Sequence, residues 1–166
     1  EALEKLFIID DVDAWSPAIR SKTAIRTRKK KNLTDPSIAA AALGIGPKYF
    51  EKDFKTLGFL FESLCIRDMK IYSSVCGGKV SYYRDRYGLE VDIVIHLDDG
   101  RYALCEVKLG ENEADKAADN LNKLESLIKE RIEKGNIQRS PPAFKMVLTG
   151  GEFGYRRDDG VLVIPI

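Results

Sequence analysis

Three strand-like runs follow one another between two long helical stripes, and that order restricts the chain to a small set of α/β architectures. The runs are about Lys79 to Arg84, Glu90 to Leu97 and Arg101 to Leu109. Asp98-Asp99-Gly100 supplies the tight turn that makes a hairpin of the last two, because Asp and Gly tolerate left-handed backbone. Ahead of the runs, Phe50, Phe54, Leu57, Phe61 and Leu64 recur at helical spacing, which predicts the inner face of a long helix reaching about Met69. Behind them, Asn112-Glu113-Ala114 opens a second helix. Its stripe of Ala114, Ala117, Ala118, Leu121, Leu124, Ile128 and Ile132 ends at Gly135. After Ser140-Pro141-Pro142, strands are expected over Phe144 to Leu148 and Val161 to Ile166, separated by the Gly150-Gly151 turn and an aromatic, basic loop around Phe153, Tyr155, Arg156 and Arg157. The predicted core is therefore α/β: a mixed central sheet flanked by helices, in the order helix-strand-strand-strand-helix-strand.

The 166 residues suit one domain with a packed core. Residues 1 to 31 show no single period and contain Ser16-Pro17 and the basic run Arg26-Thr27-Arg28-Lys29-Lys30-Lys31. They read as a connector, or as the tail of an upstream region, with the domain proper over residues 32 to 166. The abrupt apolar opening, Leu3-Glu4-Lys5-Leu6-Phe7-Ile8-Ile9, points the same way. Asp35-Pro36 gives an N-cap acid before a first-turn proline, and Ile38 to Leu43 with Gly44 complete a short helix.

The 27 basic and 26 acidic side chains nearly cancel, so any case for nucleic acid rests on local patches. The basic run is the best such patch, although runs of this length are usually solvated surface. Cys65, Cys76 and Cys105 are odd in number and lack CxxC spacing, which argues for a reducing, cytoplasmic setting and against zinc. No apolar run approaches the roughly 18 residues of a membrane span.

The chemistry concentrates in three separated pieces. In Glu106-Val107-Lys108 the acid and the lysine stand two apart on a strand, so they share a face while Val107 points to the core. Asp92 interrupts Val91, Ile93, Val94 and Ile95, where a buried strand has no use for an acid. Glu62 sits beside Phe61 within the apolar helix. Hard oxygen ligands converging from these elements suit Mg²⁺ or Mn²⁺. The bland readings are a surface acid for Glu62 and a structural ion pair for Glu106 and Lys108.

The element order, with acids at these positions, resembles the restriction-endonuclease-like PD-(D/E)XK superfamily over about residues 50 to 165. That pattern has an acid on the first core helix, an Asp on the second strand and Glu-x-Lys on the third, matched by Glu62, Asp92, Glu106 and Lys108. The segments Asp35 to Gly44, Gly58 to Ser63, Tyr83-Arg84-Asp85 and Gly88 to Asp92 are similar to an uncharacterised family that forms the C-terminal region of predicted bacterial and archaeal AAA-superfamily ATPases. The resemblance implies a metal-dependent, DNA-nuclease-like phosphodiesterase. Glu62, Asp92, Glu106 and the Val107 carbonyl would bind one or two Mg²⁺ or Mn²⁺ ions, and Lys108 would assist the attacking water. An upstream ATPase domain would be its partner, and self-association is compatible with it. The alternative is a catalytically inactive module that binds nucleic acid or protein, or that oligomerises and regulates the ATPase.

Weaker nucleic-acid candidates are Arg84, the Arg156-Arg157 pair, tyrosines 82, 83 and 87, and the polar row Lys116, Asn120 and Lys123 on one face of the second helix. Glu90 reads as a rim residue. His96 falls on the same strand face as Asp92, which opens a metal or proton role to it, and a hydrogen-bonded or exposed histidine at a strand end is the simpler reading. Gly77-Gly78-Lys79-Val80 lacks the spaced glycines and the Ser/Thr of a phosphate loop, which argues against ATP binding here.

Overall fold

The computed structural model describes residues 5–6, 8–18 and 28–166. Leu3, Glu4 and Phe7 of the apolar opening, and Arg26 and Thr27 of the basic run, lie outside the described residues. Within them the strands are β1 (Asp13–Ala14), β2 (Lys79–Arg84), β3 (Glu90–His96), β4 (Tyr102–Lys108), β5 (Phe144–Thr149), β6 (Tyr155–Arg156) and β7 (Leu162–Pro165). They form one sheet in the order β1-β2-β3-β4-β5-β7-β6. β2, β3 and β4 make an antiparallel meander. β5 joins β4 in parallel, β7 joins β5 in parallel, and β6 folds back antiparallel on β7. The helices are α1 (Pro36–Leu43), α2 (Pro47–Phe50), α3 (Phe54–Ser74) and α4 (Ala114–Glu133). The fold is mixed α/β, a mixed sheet flanked by helices.

Local chemistry sets the helix ends. The Asp35 side chain accepts the Ser37 amide at 2.8 Å, Pro36 opens α1, and Gly44 closes it at φ 65°, a left-handed value that favours glycine. At α3, Asp53 accepts both the Thr56 amide, at 3.1 Å, and its hydroxyl, at 2.7 Å. The helix is interrupted between α2 and α3, so Phe50 is not on the same helix as Leu57. α3 also continues past Met69 to Ser74, and Phe54, expected on the inner face, is 65% exposed. The final strand is shorter than expected, and the aromatic, basic loop contributes the two residues of β6.

The sheet buries both faces. On one, Val91, Val94, Leu104, Val147 and Val163 pack with Ala114, Ala117, Ala118, Leu121, Leu124 and Ile128 of α4. On the other, Ile93, Cys105, Val107, Met146 and Leu148 pack with Cys65 and Ile66 of α3 and with Val12. Each fully buried aliphatic chain of this size contributes about 1.5–3 kcal/mol. Cys65, Cys76 and Cys105 are free, and Cys65 and Cys105 are buried among these apolar neighbours. Burial pushes the Cys65 thiol up to about 12 and that of Cys105 well above its usual value, so both pack as small hydrophobes. No helix among the described residues is long and apolar enough to cross a membrane.

The ladder between β2 and β3 is irregular at one point. Ser81 pairs with Val94 and Tyr83 with Val91, so Asp92 and Ile93 together oppose the single residue Tyr82. This is a β-bulge, and it explains why Val91 and Val94, three apart, fall in the same face's core.

Candidate functional site

Asp92 stands on the bulge, where an extra residue turns the strand and re-aims its side chain. The β3–β4 pairing runs from His96/Tyr102 to Ile93/Cys105. Past that point the Asp92 side chain reaches across to β4, and the Val107 N–H donates to its Oδ2 at 3.0 Å. A carboxylate thus takes an amide that would otherwise serve the ladder. Asp92 is 8% exposed and Glu106 3%.

Glu62, Asp92, Glu106 and Lys108 are brought together from α3, β3 and β4. Lys108 Nζ donates to Glu106 Oε2 at 2.8 Å and to the Val107 carbonyl at 3.0 Å, and lies 3.6 Å from Asp92 Oδ2. The Val107 carbonyl, assigned to the metal by resemblance, is therefore occupied by Lys108. A second ammonium closes the other side. Lys30 Nζ lies 2.6 Å from Glu62 Oε1, 3.5 Å from Glu90 Oε1 and 3.8 Å from Asp92 Oδ1. Among the described residues, no three His, Cys, Asp or Glu side chains come close enough together to hold a metal ion as they stand.

The electrostatics follow from crowding acids in a buried place. Burial, then the neighbouring Asp92 charge, pushes Glu106 up to about 8 despite Lys108. The same two causes raise Glu62, against the pull of Lys30 and Lys108. For Lys30, burial opposes the charged form, but Glu62, Asp92 and Glu90 outweigh it and its pKa is raised. Lys108 is likewise raised by Asp92 and Glu106 against burial. The cluster is short of positive charge. That shortage, with an all-oxygen donor set, is the chemistry a hard divalent cation satisfies, so the residues fit Mg²⁺ or Mn²⁺ in kind.

Lys30 is the residue that sequence reasoning missed. Its backbone pairs with Val12, each amide donating to the other's carbonyl at 2.9 Å. The Tyr82 hydroxyl, opposite the bulge, donates to the Arg28 carbonyl at 2.5 Å. The signal lay inside the basic run, but nothing local distinguishes Lys30 from its neighbours Lys29, which meets Asp13 at 3.0 Å, and Lys31, which meets Asp11 at 2.8 Å.

The weaker candidates separate. Glu90 is a rim residue shared by Lys30 and, at 3.8 Å, Arg84, whose side chain is largely exposed. A groove of about 590 Å³ runs past the site, lined by Phe54, Lys55, Phe59, Glu62 and Lys108. Asn112 and Glu113 complete its wall rather than Lys116, Asn120 or Lys123; Lys116 and Lys123 are exposed on α4 and Asn120 is half-buried. Arg157 is engaged by Asp115 and, at 3.2 Å, by Asp159. Tyr82 and Tyr83 are buried, whereas Tyr87 is exposed beside Arg86. His96 is hydrogen-bonded, its Nε2 3.0 Å from Ser81 Oγ, and burial, then Arg139 and Lys79, lower its pKa. It stands four positions along the strand from Asp92, about 13 Å of rise, with the bulge between.

No curated protein and no solved structure matches this chain. Residues 57–166, which include Glu62, Asp92, Glu106 and Lys108 but not Lys30, match the model of a family described as "Domain of unknown function (DUF4143)". The match spans more than half of the chain, which therefore belongs to the DUF4143 family.

Proposed function

We propose that this domain is a metal-dependent phosphodiesterase of the PD-(D/E)XK, restriction-endonuclease-like kind, acting on nucleic acid with DNA the favoured substrate. The observation that carries the reading is the convergence of Glu62, Asp92 and Glu106 beside Lys108, from three elements, at one bulged and divided place in the sheet. Mg²⁺ or Mn²⁺ bound there would supply a polarised phosphoryl oxygen and a water of lowered pKa. Glu62, Asp92 and Glu106 would hold that ion. Asp92 is fixed for the task by the Val107 amide. Lys108, already within 2.8 Å of Glu106, would turn toward the attacking water and offset charge building on phosphorus. The adjoining groove suits a single strand or an unwound end: Phe54 and Phe59 offer exposed rings for stacking, with Lys55 and Lys108 for phosphates. On this reading an AAA-superfamily ATPase is the partner that presents the nucleic acid, in the cytoplasm.

A cleavage assay tests it. With Mn²⁺ or Mg²⁺ the protein should cut plasmid or branched DNA, chelator should stop it, and Asp92→Ala should be inactive. Equal cleavage by wild type and Asp92→Ala would sink the assignment.

One observation favours a second reading. Lys30 and Lys108 between them engage all four acids, and no three acids stand ready for a metal among the described residues. A cluster whose acids are each already paired with an ammonium fits an inactive interaction or oligomerisation module, for which metal would change neither DNA binding nor self-association.

A further inference from the structure

We propose that Lys30 is a tethered cation occupying the divalent-ion site, and that metal entry and departure of the segment around Lys30 from the sheet edge are a single event. The inference rests on the metal-site reading proposed for Glu62, Asp92 and Glu106 and deepens it.

The contacts place the two cations in competition. The Lys30 ammonium lies 2.6 Å from Glu62 and 3.8 Å from Asp92, two of the carboxylates that would hold the ion, and 3.5 Å from Glu90 behind them. An oxygen that points at an ammonium at these distances is not free to enter a metal's coordination sphere, where ligands stand about 2.0–2.1 Å from Mg²⁺. Lys108 cannot be the competitor in the same sense. It is carried on β4 itself, two residues from Glu106, and serves the opposite oxygens, Glu106 Oε2 and Asp92 Oδ2. Lys30 alone comes from a separate piece of chain.

That piece lies against the sheet without being one of its strands. Among the described residues its backbone is held by the paired Val12 and Lys30 amides, by the Asp10 amide on the Asn32 carbonyl and the Thr34 amide on the Ile8 carbonyl, both at 3.0 Å, and by the Tyr82 hydroxyl on the Arg28 carbonyl, while the largely exposed side chains of Lys29 and Lys31 meet Asp13 and Asp11. Val12, its partner, is fully buried and stays with the core. Breaking these links exposes little apolar surface of the Lys30 segment, whose Arg28 to Lys31 side chains are all cationic. A lysine whose Nζ stands over the Tyr82 ring, 6.0 Å from its centroid, can also retract without disturbing the bulge that orients Asp92. In the absence of metal the Lys30 ammonium thereby offsets part of the carboxylate charge, which lowers the cost of leaving several buried acids uncompensated.

The test combines two measurements on this chain. Mn²⁺ is titrated calorimetrically into wild type, Lys30→Met, Lys30→Gln and Asp92→Ala, and amide hydrogen exchange of wild type is followed with and without Mn²⁺. Expected is binding to Lys30→Met and Lys30→Gln about tenfold or more tighter than to wild type, the scale of one competing charged contact. Asp92→Ala should not bind. In wild type, Mn²⁺ should remove exchange protection at the Lys30 and Val12 amides while leaving β4 protected. Equal or weaker binding by both Lys30 variants, with Asp92→Ala still defective, would overturn the competition and leave the metal site standing. Absence of binding by every protein would overturn the metal reading and this inference together. The exchange arm uses unaltered protein, so unchanged protection at Lys30 in metal-saturated wild type overturns the proposal even if the variants fold poorly.

Discussion

α4 and α3 cover opposite faces of one sheet and are of nearly equal length, yet they are buried very differently. Ala114, Ala117, Ala118, Leu121, Leu124 and Ile128 of α4 all disappear into the core, whereas α3 fully buries only Cys65 and Ile66. The alanines let α4 lie close to Val94, Leu104 and Val147, and its inward stripe carries no ionisable group. α3 rides with most of its inner positions half-exposed, and Glu62 sits where a tighter helix would place an aliphatic side chain. One face supplies much of the hydrophobic stabilisation, and the other tolerates looser packing in order to bring a carboxylate to the split between β3 and β4.

The largest effect should come from the tight face. Leu121→Ala removes a fully buried side chain and should cost about 2–5 kcal/mol in denaturant unfolding. Leu64→Ala, half-buried on α3, should cost less than about half of that. Equal losses would break the contrast.

Asp92→Asn sharpens it from the other side. The amide oxygen can still accept the Val107 N–H, and a buried negative charge is removed from a place with several. Thermal stability should hold or rise while Mn²⁺ binding is lost. A destabilisation of about 3 kcal/mol or more would make Asp92 a structural ion-pair partner.

The next effect is in pH. Glu106 is raised from 4.5 to about 8, so the stability tied to its protonated form is complete below about pH 4.5 and is lost as pH rises through about 8. The metal-free unfolding midpoint should therefore fall across that window, and Glu106→Gln should flatten the fall. With Mn²⁺ present the trend should reverse, because the ion needs the ionised carboxylate. A profile unchanged by Glu106→Gln would show that the proton sits elsewhere.

Smallest in stability is Phe54→Ser. A ring 65% exposed should matter by no more than about 0.5 kcal/mol for folding. Loss of a stacking ring should nevertheless weaken binding of a single-stranded oligonucleotide by about 1 kcal/mol or more. Unchanged binding would remove the groove from the nucleic-acid interface.

What could be read in the sequence divides along physical lines. The caps of α1, the alanine-leucine stripe of α4 and the Asp98 to Gly100 turn depend on neighbours within a few residues, and they stand where the residues predict. The acids and lysine of the site were legible because an ionisable residue in an apolar run contradicts its surroundings. Lys30 was not, since in a run of cations it contradicts nothing, and its partners lie 32 to 62 residues away. The bulge at Asp92 was equally silent, because alternation across Val91 to Ile95 reads the same with or without an extra residue until the partner strand is known. Phe54 shows the converse error: its spacing continued the helical stripe, but at the first turn of α3 its ring stands 65% exposed. β1, two residues paired with Ser81 and Tyr82, is too short to leave a period.

The most direct measurement is an anomalous difference map from crystals grown with Mn²⁺. A peak bounded by Glu62, Asp92 and Glu106, with the Lys30 ammonium displaced from it, is the predicted result. Crystals saturated with Mn²⁺ that show no peak there, and Lys30 still seated against Glu62, would contradict the metal site and favour the neutralised interaction module.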